Sequence, residues 1–263
     1  MTIDFTGVKS LTIPEGNVSK IIRKRDNTII WEKGTLPQKD TLENTSWADI
    51  RAISRAGLAS TYWSIGDQKT ISISGMTYLV DIIGFDHDTP TDVSTYGRNK
   101  AGITFQLHDL FFEYYQMNST KTNEGGWNGS LMRNETMTGE LFDKLAADLR
   151  NAIVPVDKYT GVGGAESSGT QVSSDNLFLL AEREVFEART YCIWDEHSAL
   201  AQYEYYKNGG SKIKQHIDNG AAEWWLRSPR SGYIFYFCSV NASGNAYRNN
   251  ANVYIGVSFA FCV

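Results

Sequence analysis

Three places in this 263-residue chain bring together side chains that could do chemistry. The first is Asp86-His87-Asp88, where all three side chains can be metal ligands. Adjacent side chains of a strand point to opposite faces, so only a loop could make them converge. A polar turn with hydrogen-bonded side chains is the preferred reading, and no metal is expected. The second is Cys192 close to His197. A nucleophile and base of this kind need a third group to orient the base, and without one the two residues do not make a catalytic site. The third is the stretch from Ser228 to Val263, SPRSGYIFYFCSVNASGNAYRNNANVYIGVSFAFCV, which contains no Lys, Glu, Asp, Gln, Met or Trp. Its polar reactive groups, Arg230, Cys238 and Arg248, are too few for a catalytic centre. Rigid amphipathic rings mixed with Asn, Ser and Gly instead supply the chemistry of a binding loop such as an antibody paratope.

Composition narrows the classes further. Charged residues make up 21% and hydrophobic residues 41%, the balance of a soluble globular protein rather than a disordered one. A formal net charge of -5 and a pI near 5.4 argue against nucleic acid as the partner. The basic cluster Lys20, Arg23, Lys24 and Arg25 reads as a solvated turn or edge strand. No apolar run approaches the roughly 20 residues that cross a bilayer, so membrane insertion is not expected. The opening MTIDFTGVKSLTIPEG lacks the basic head and apolar middle of a secretory signal. Cys192, Cys238 and Cys262 have no metal-ligand spacing, cannot all pair internally, and read as reduced, buried thiols. The glycines of GVGGAESSGTQVSS follow neither phosphate-binding pattern, and no cofactor is expected.

The elements that must position the C-terminal stretch can be read in outline. Residues 1–33 carry short alternating runs broken at Pro14 to Asn17 and Arg25 to Asn27, giving two or three strands of a small hairpin module, with Gly34 to Lys39 as linker. Thr45 or Ser46 can cap a helix running to about Ala56 with Trp47, Ile50, Ile53 and Ser54 on one face, stopped by Gly57. Lys69 to Ile73 and Met76 to Phe85 read as a hairpin around Gly75, and Ile103 to Phe105 as a strand. His108 to Tyr115 is a short helix or extended core segment. Asn118 to Ser130 is a structured loop anchored by Trp127. Met132 to Ile153 is helical up to Pro155. Gly161 to Ser174 reads as a flexible surface loop, Asn176 to Ala181 as a buried strand, and Glu182 to Phe186 as a short helix or turn. Leu200 to Tyr206, Ile213 and Ile217 form a broken amphipathic segment beneath Trp224-Trp225-Leu226-Arg227-Ser228-Pro229.

With WWLRSP and the ending GVSFAFCV, together with Thr45-Ser46-Trp47, Gly84 to Asp88, Lys100 to Phe105, Met117-Asn118-Ser119, Gly125-Gly126-Trp127 and Asn176 to Leu180, the chain resembles a widespread domain family of gut bacterial and phage proteins. That family is related to the C-type lectin fold and its formylglycine-generating enzyme-like branch. Its members include the variable proteins of diversity-generating retroelements, in which adenines of a C-terminal repeat are mutated. The resemblance implies an α+β fold: a C-type lectin-like domain at 37–263 with a variable region at 228–256, preceded by a small β module at 1–36. The N-terminal module also resembles the opening of phage tail or virion proteins.

The genetic code offers a separate check. Randomising the adenines of an Asn codon reaches only codons ending in C or T, which cannot encode Lys, Glu, Gln, Met or Trp, and all five are absent after Trp225. The expected diversified, ligand-binding positions are Tyr233, Phe235, Tyr236, Ser239, Asn241, Asn245, Tyr247, Asn249, Asn250, Asn252, Tyr254 and Ile255. Trp224, Trp225, Arg227, Phe259 and Phe261 form the framework. A regular strand would turn one of Trp224 and Trp225 inward and leave the other to floor the site. Arg227 is expected to pair with a carboxylate or backbone carbonyls.

The implied function is ligand or receptor binding without catalysis, as a phage tail or virion component or a surface-associated protein after release. The partner would be a host cell-surface protein or other macromolecule, with a neutral glycan as a further option and homo-oligomerisation through the N-terminal module as another. Two alternatives stay open: an enzyme of the formylglycine-generating-like branch, and a structural assembly protein.

Overall fold

The computed structural model describes residues 20–22, 29–32 and 39–263. The chain divides into two units, 1–38 and 39–263. In the first, the strands Lys20–Ile22 and Ile29–Glu32 pair antiparallel, with Ile21 opposite Trp31. The basic residues Arg23, Lys24 and Arg25, the run before Pro14 and most of the linker from Gly34 lie outside the described residues.

The second unit mixes helices with small antiparallel sheets, and no barrel closes among the described residues. Its first helix, Trp47–Arg55, starts at Ser46, whose hydroxyl accepts the backbone N–H of Asp49 at 3.1 Å. Trp47, Ile50, Ile53 and Ser54 are its buried face, as their helical spacing requires. That face meets a four-stranded sheet ordered Ala260–Cys262, Ile103–Leu107, Met76–Phe85 and Gln68–Ile73. Phe261 lies opposite Phe105 in the ladder, and Trp47 packs edge-on against both at 5.9 and 5.4 Å. Burying each such ring contributes about 1.5–3 kcal/mol, so this aromatic trio ties the C-terminal strand to the first helix.

A second sheet orders Thr89–Pro90, Val156–Gly161 and Thr170–Asp175. Much of the stretch expected to be a flexible loop, Gly161 to Ser174, is therefore hairpin. Its inward residues on the last strand are Ser173 and Asp175, so no apolar alternation marks it. Asp175 accepts the indole N–H of Trp127 at 2.8 Å and pairs with Arg133 at 2.7 Å, anchoring the Asn118 to Ser130 loop as expected. The helical stretch after it is a π-helix over Met132–Leu141 that continues as a short α-helix, Phe142–Lys144, and is then broken before a separate helix, Ala147–Ala152. Of Asn176 to Ala181, the residues from Leu177 on are buried, but the segment forms only a single bridge, Phe178 to Ala260. Ile213 and Ile217 are exposed rather than packed under the tryptophans. Among the described residues, no helix is long and apolar enough to cross a membrane.

The third sheet carries the C-terminal segment in the order Trp224–Pro229, Tyr236–Val240, Ala246–Asn250, all antiparallel. Burial falls off strand by strand: every residue of the first is buried, most of the second, and none of the third.

Candidate functional site

The Trp224–Pro229 strand is held on both sides, so Trp224 and Trp225 are both fully buried, correcting the expectation that one would floor the site. The Trp224 indole donates to Lys212 O at 3.0 Å and that of Trp225 to Tyr115 O at 2.8 Å. Beside them the chain returns through Gly256, where a Cβ would lie 2.5 Å from a Leu110 methyl and 2.8 Å from Glu223 O. Only glycine permits that approach.

Arg227 is fully buried and bridges to Glu184 through both terminal nitrogens, with the second contact at 2.9 Å. It also donates to Leu179 O at 2.8 Å. Glu184 meets Lys158 at 3.0 Å, and Lys158 meets Asp88 at 2.6 Å. Asp88 further accepts Thr104 at 2.6 Å and Tyr203 at 2.8 Å. Burial alone would raise both carboxyls, but Lys158 beside Asp88 and Arg227 with Lys158 beside Glu184 hold them well below the usual range. This alternating charge chain joins the second sheet to the strand beneath the C-terminal face.

The chain also settles the geometry of Asp86-His87-Asp88. Asp86 turns out to Arg98 at 3.0 Å, His87 stacks on Tyr203 at 3.9 Å, and Asp88 points inward to Lys158. His87, Asp88 and Glu184 do come within 4.8 Å of one another, but two cations already neutralise the carboxylates. Cys192, Cys238 and Cys262 are free and buried, and burial pushes each thiol up, away from the reactive thiolate.

Of the expected ligand-binding positions, all but Ser239 reach the surface. Ser239 is fully buried and accepts the Asn249 amide at 3.1 Å, because the middle strand turns it toward the core side. Asn249 is drawn the same way, donating also to Glu223 at 2.9 Å. Asn241 shapes the hairpin tip, its side-chain oxygen accepting the N–H of Ser243 and of Asn245 at 3.0 and 2.9 Å. Tyr254, 62% exposed, lines a groove of about 710 Å³ with Glu113, Glu135 and Glu140, and Ile255 is bonded through its backbone to Tyr115. Asn252 and Tyr247 are exposed, and Phe259 and Phe261 are core.

Tyr233, Phe235, Tyr236 and Asn250 do come together. Tyr236 lies opposite Asn250 in the ladder, with Tyr233 and Phe235 ring centroids 6.2 and 6.4 Å from its own. Arg230 stacks on Tyr233 at 3.7 Å, and Lys121 sits over Phe235 at 5.0 Å. Two supports of this cluster went unread in the sequence. Tyr191 reaches it from a distant loop whose N–H groups, from Thr190 to Cys192, all donate to the buried carboxylate of Glu182. Asn123 clasps the turn from beneath, helped by Gly163, whose Cβ would lie 2.0 Å from Asn123 O. The Asn-Glu-Gly-Gly turn after Thr122 was the available signal for Asn123, whereas nothing local marks Tyr191.

A family model described as a domain of unknown function, DUF6273, matches residues 101–263. No curated protein and no solved structure matches the chain.

Proposed function

The chain belongs to the DUF6273 family, and we propose that it is a non-catalytic binding protein whose C-terminal sheet and loops display substitutable ligand-contacting residues on a C-type lectin-like scaffold. The observation that carries this reading is the separation of roles within one segment. Tyr233, Ile234, Phe235, Tyr247 and Tyr254 are exposed, while Trp224, Trp225, Phe237, Val257, Phe259 and Phe261 around them are wholly buried. Exposed aromatic clusters of this kind mark interaction sites. Side chains that meet solvent can change without disturbing the fold, which suits a surface that varies between copies. The resemblance of the N-terminal module to phage tail proteins extends the proposal to receptor binding by a virion component. Affinity would come from a few well-packed rings, each costing about 2 kcal/mol or more on truncation.

Sequencing this gene in closely related isolates tests the reading. Substitutions concentrated at Tyr233, Phe235, Tyr236, Tyr247, Asn250, Asn252 and Tyr254, with the tryptophans and Arg227 constant, are expected. A segment identical in all copies, or changed as often at buried as at exposed codons, would refute it.

A further inference from the structure

Two guanidinium groups on the C-terminal face have no counter-charge among the described residues. Arg230 lies 5.6 Å from the Tyr191 ring and 5.4 Å from that of Tyr236, and Arg248 lies 5.4 and 5.7 Å from the same two rings. The four side chains thus share one cluster, with each cation against two aromatic faces. Neither arginine makes an ion pair or a side-chain hydrogen bond with any described residue, and Arg248 Nε is buried without a partner. One position further along the same face, Asn250 Oδ1 is likewise buried and unpaired.

The C-terminal segment supplies no acid of its own to fill the gap. After Glu223 there is no Asp or Glu, although the whole chain carries a net charge of -5. Glu182, underneath, is committed to the backbone of Thr190, Tyr191 and Cys192. Stacking on tyrosine strips water from a guanidinium without supplying acceptors for its in-plane N–H groups, and unmet donors of this kind are costly. A carboxylate is the acceptor whose planar geometry matches that fork.

On the reading that this face binds a ligand, we infer that the ligand is an acidic polypeptide segment, whose carboxylate sits on Arg230 and Arg248. A backbone or side-chain N–H of the same segment meets Asn250 Oδ1. Its apolar neighbour packs on Tyr233, Ile234 and Phe235, which are 49, 41 and 39% exposed. The need for an acid, a donor and an apolar contact together favours polypeptide over a lone phosphate or a sugar acid.

Displayed random short peptides selected against the full chain provide the test. Binders should be enriched in Asp or Glu next to an apolar residue. A synthetic binder should weaken at least about tenfold, roughly 1.4 kcal/mol, on Arg230→Gln or Arg248→Gln, and equally when its own acid becomes the amide. The amide peptide leaves the protein untouched, so loss of folding cannot mimic that result. Binders without acids that still weaken on Phe235→Ala overturn the carboxylate and leave the binding face standing. Binders indifferent to Phe235→Ala and both arginine changes, or no binders at all, overturn both. Displacement of the peptide by inorganic phosphate or glucuronate at equal concentration overturns the choice of polypeptide.

Discussion

The amide of Asn123 donates to the carbonyl oxygen of Tyr236 at 2.7 Å, and the same nitrogen reaches Tyr233 O at 2.8 Å. Its backbone N–H donates to Ile234 O at 2.7 Å, and its side-chain oxygen accepts Gly164 N–H at 2.8 Å. One buried side chain therefore fixes the turn that carries Tyr233 and Phe235 and ties it to the loop of the neighbouring hairpin. A binding surface of large rings benefits from such a clasp, because a pre-ordered turn loses less entropy when the ligand arrives.

Asn123→Ala should accordingly cost about 1–3 kcal/mol, since it leaves buried carbonyls of the turn without their donor. Urea unfolding would measure the loss. Hydrogen exchange should accelerate at residues 233–236 more than in the Trp224–Pro229 strand. Uniform acceleration across the whole sheet would show that the clasp is not local.

Arg227→Met should destabilise the chain by about 3–5 kcal/mol, because Glu184 would remain buried with Lys158 shared between it and Asp88. Adding Glu184→Gln should recover part of that loss, a coupling that a double-mutant cycle in urea reads directly. Additive effects would mean that the pair does not act as a unit.

The legible parts of the fold were those whose signal is local. Ser46 as cap and the spacing of Trp47, Ile50 and Ile53 specify the first helix, and Ser74-Gly75, both with positive φ, specify the first hairpin. The parts that were not legible depend on what lies across the sheet. Trp224 and Trp225 are both buried because layers cover the strand on both faces, a fact that alternation cannot reveal. Thr170–Asp175 hides as a strand because its inward residues are Ser173 and Asp175. Most of the surface cluster was legible from composition, but its partner Tyr191 was not, since Glu182 and the backbone of a remote loop place it.

Exposed and buried members of the C-terminal segment should respond differently to change. Tyr233→Ala, Phe235→Ala and Tyr254→Ala should each shift stability by no more than about 0.5 kcal/mol. Ser239→Tyr, which forces a ring into a filled site, should cost about 1–3 kcal/mol. Thermal melts of the four variants would check both arms. Loss of folding in the exposed variants would mean that those rings are structural.

Glu196 should make stability fall as pH rises. Its carboxyl is fully buried on the Trp194–Ala199 helix, accepting Gly161 N–H at 2.6 Å and the hydroxyl of Ser228. Burial is the main cause that pushes it up from 4.5 to about 7, outweighing those hydrogen bonds and Arg227, with Glu182 adding to the rise. The folded state therefore holds this proton more tightly than the unfolded chain does. The stabilisation is complete below about 4.5 and is lost progressively up to about 7. Over that window the loss is on the order of 3 kcal/mol. His87 acts oppositely, because burial lowers its affinity for a proton and acid then favours the unfolded chain, so the wild-type profile alone would blur the effect. Glu196→Gln, which mimics the protonated acid, isolates it. In urea titrations the variant should match the wild type near pH 4.5 and exceed it by about 3 kcal/mol at pH 8. Parallel profiles for the two proteins would show that Glu196 is ionised throughout the window and that its neighbours, not its proton, keep it buried.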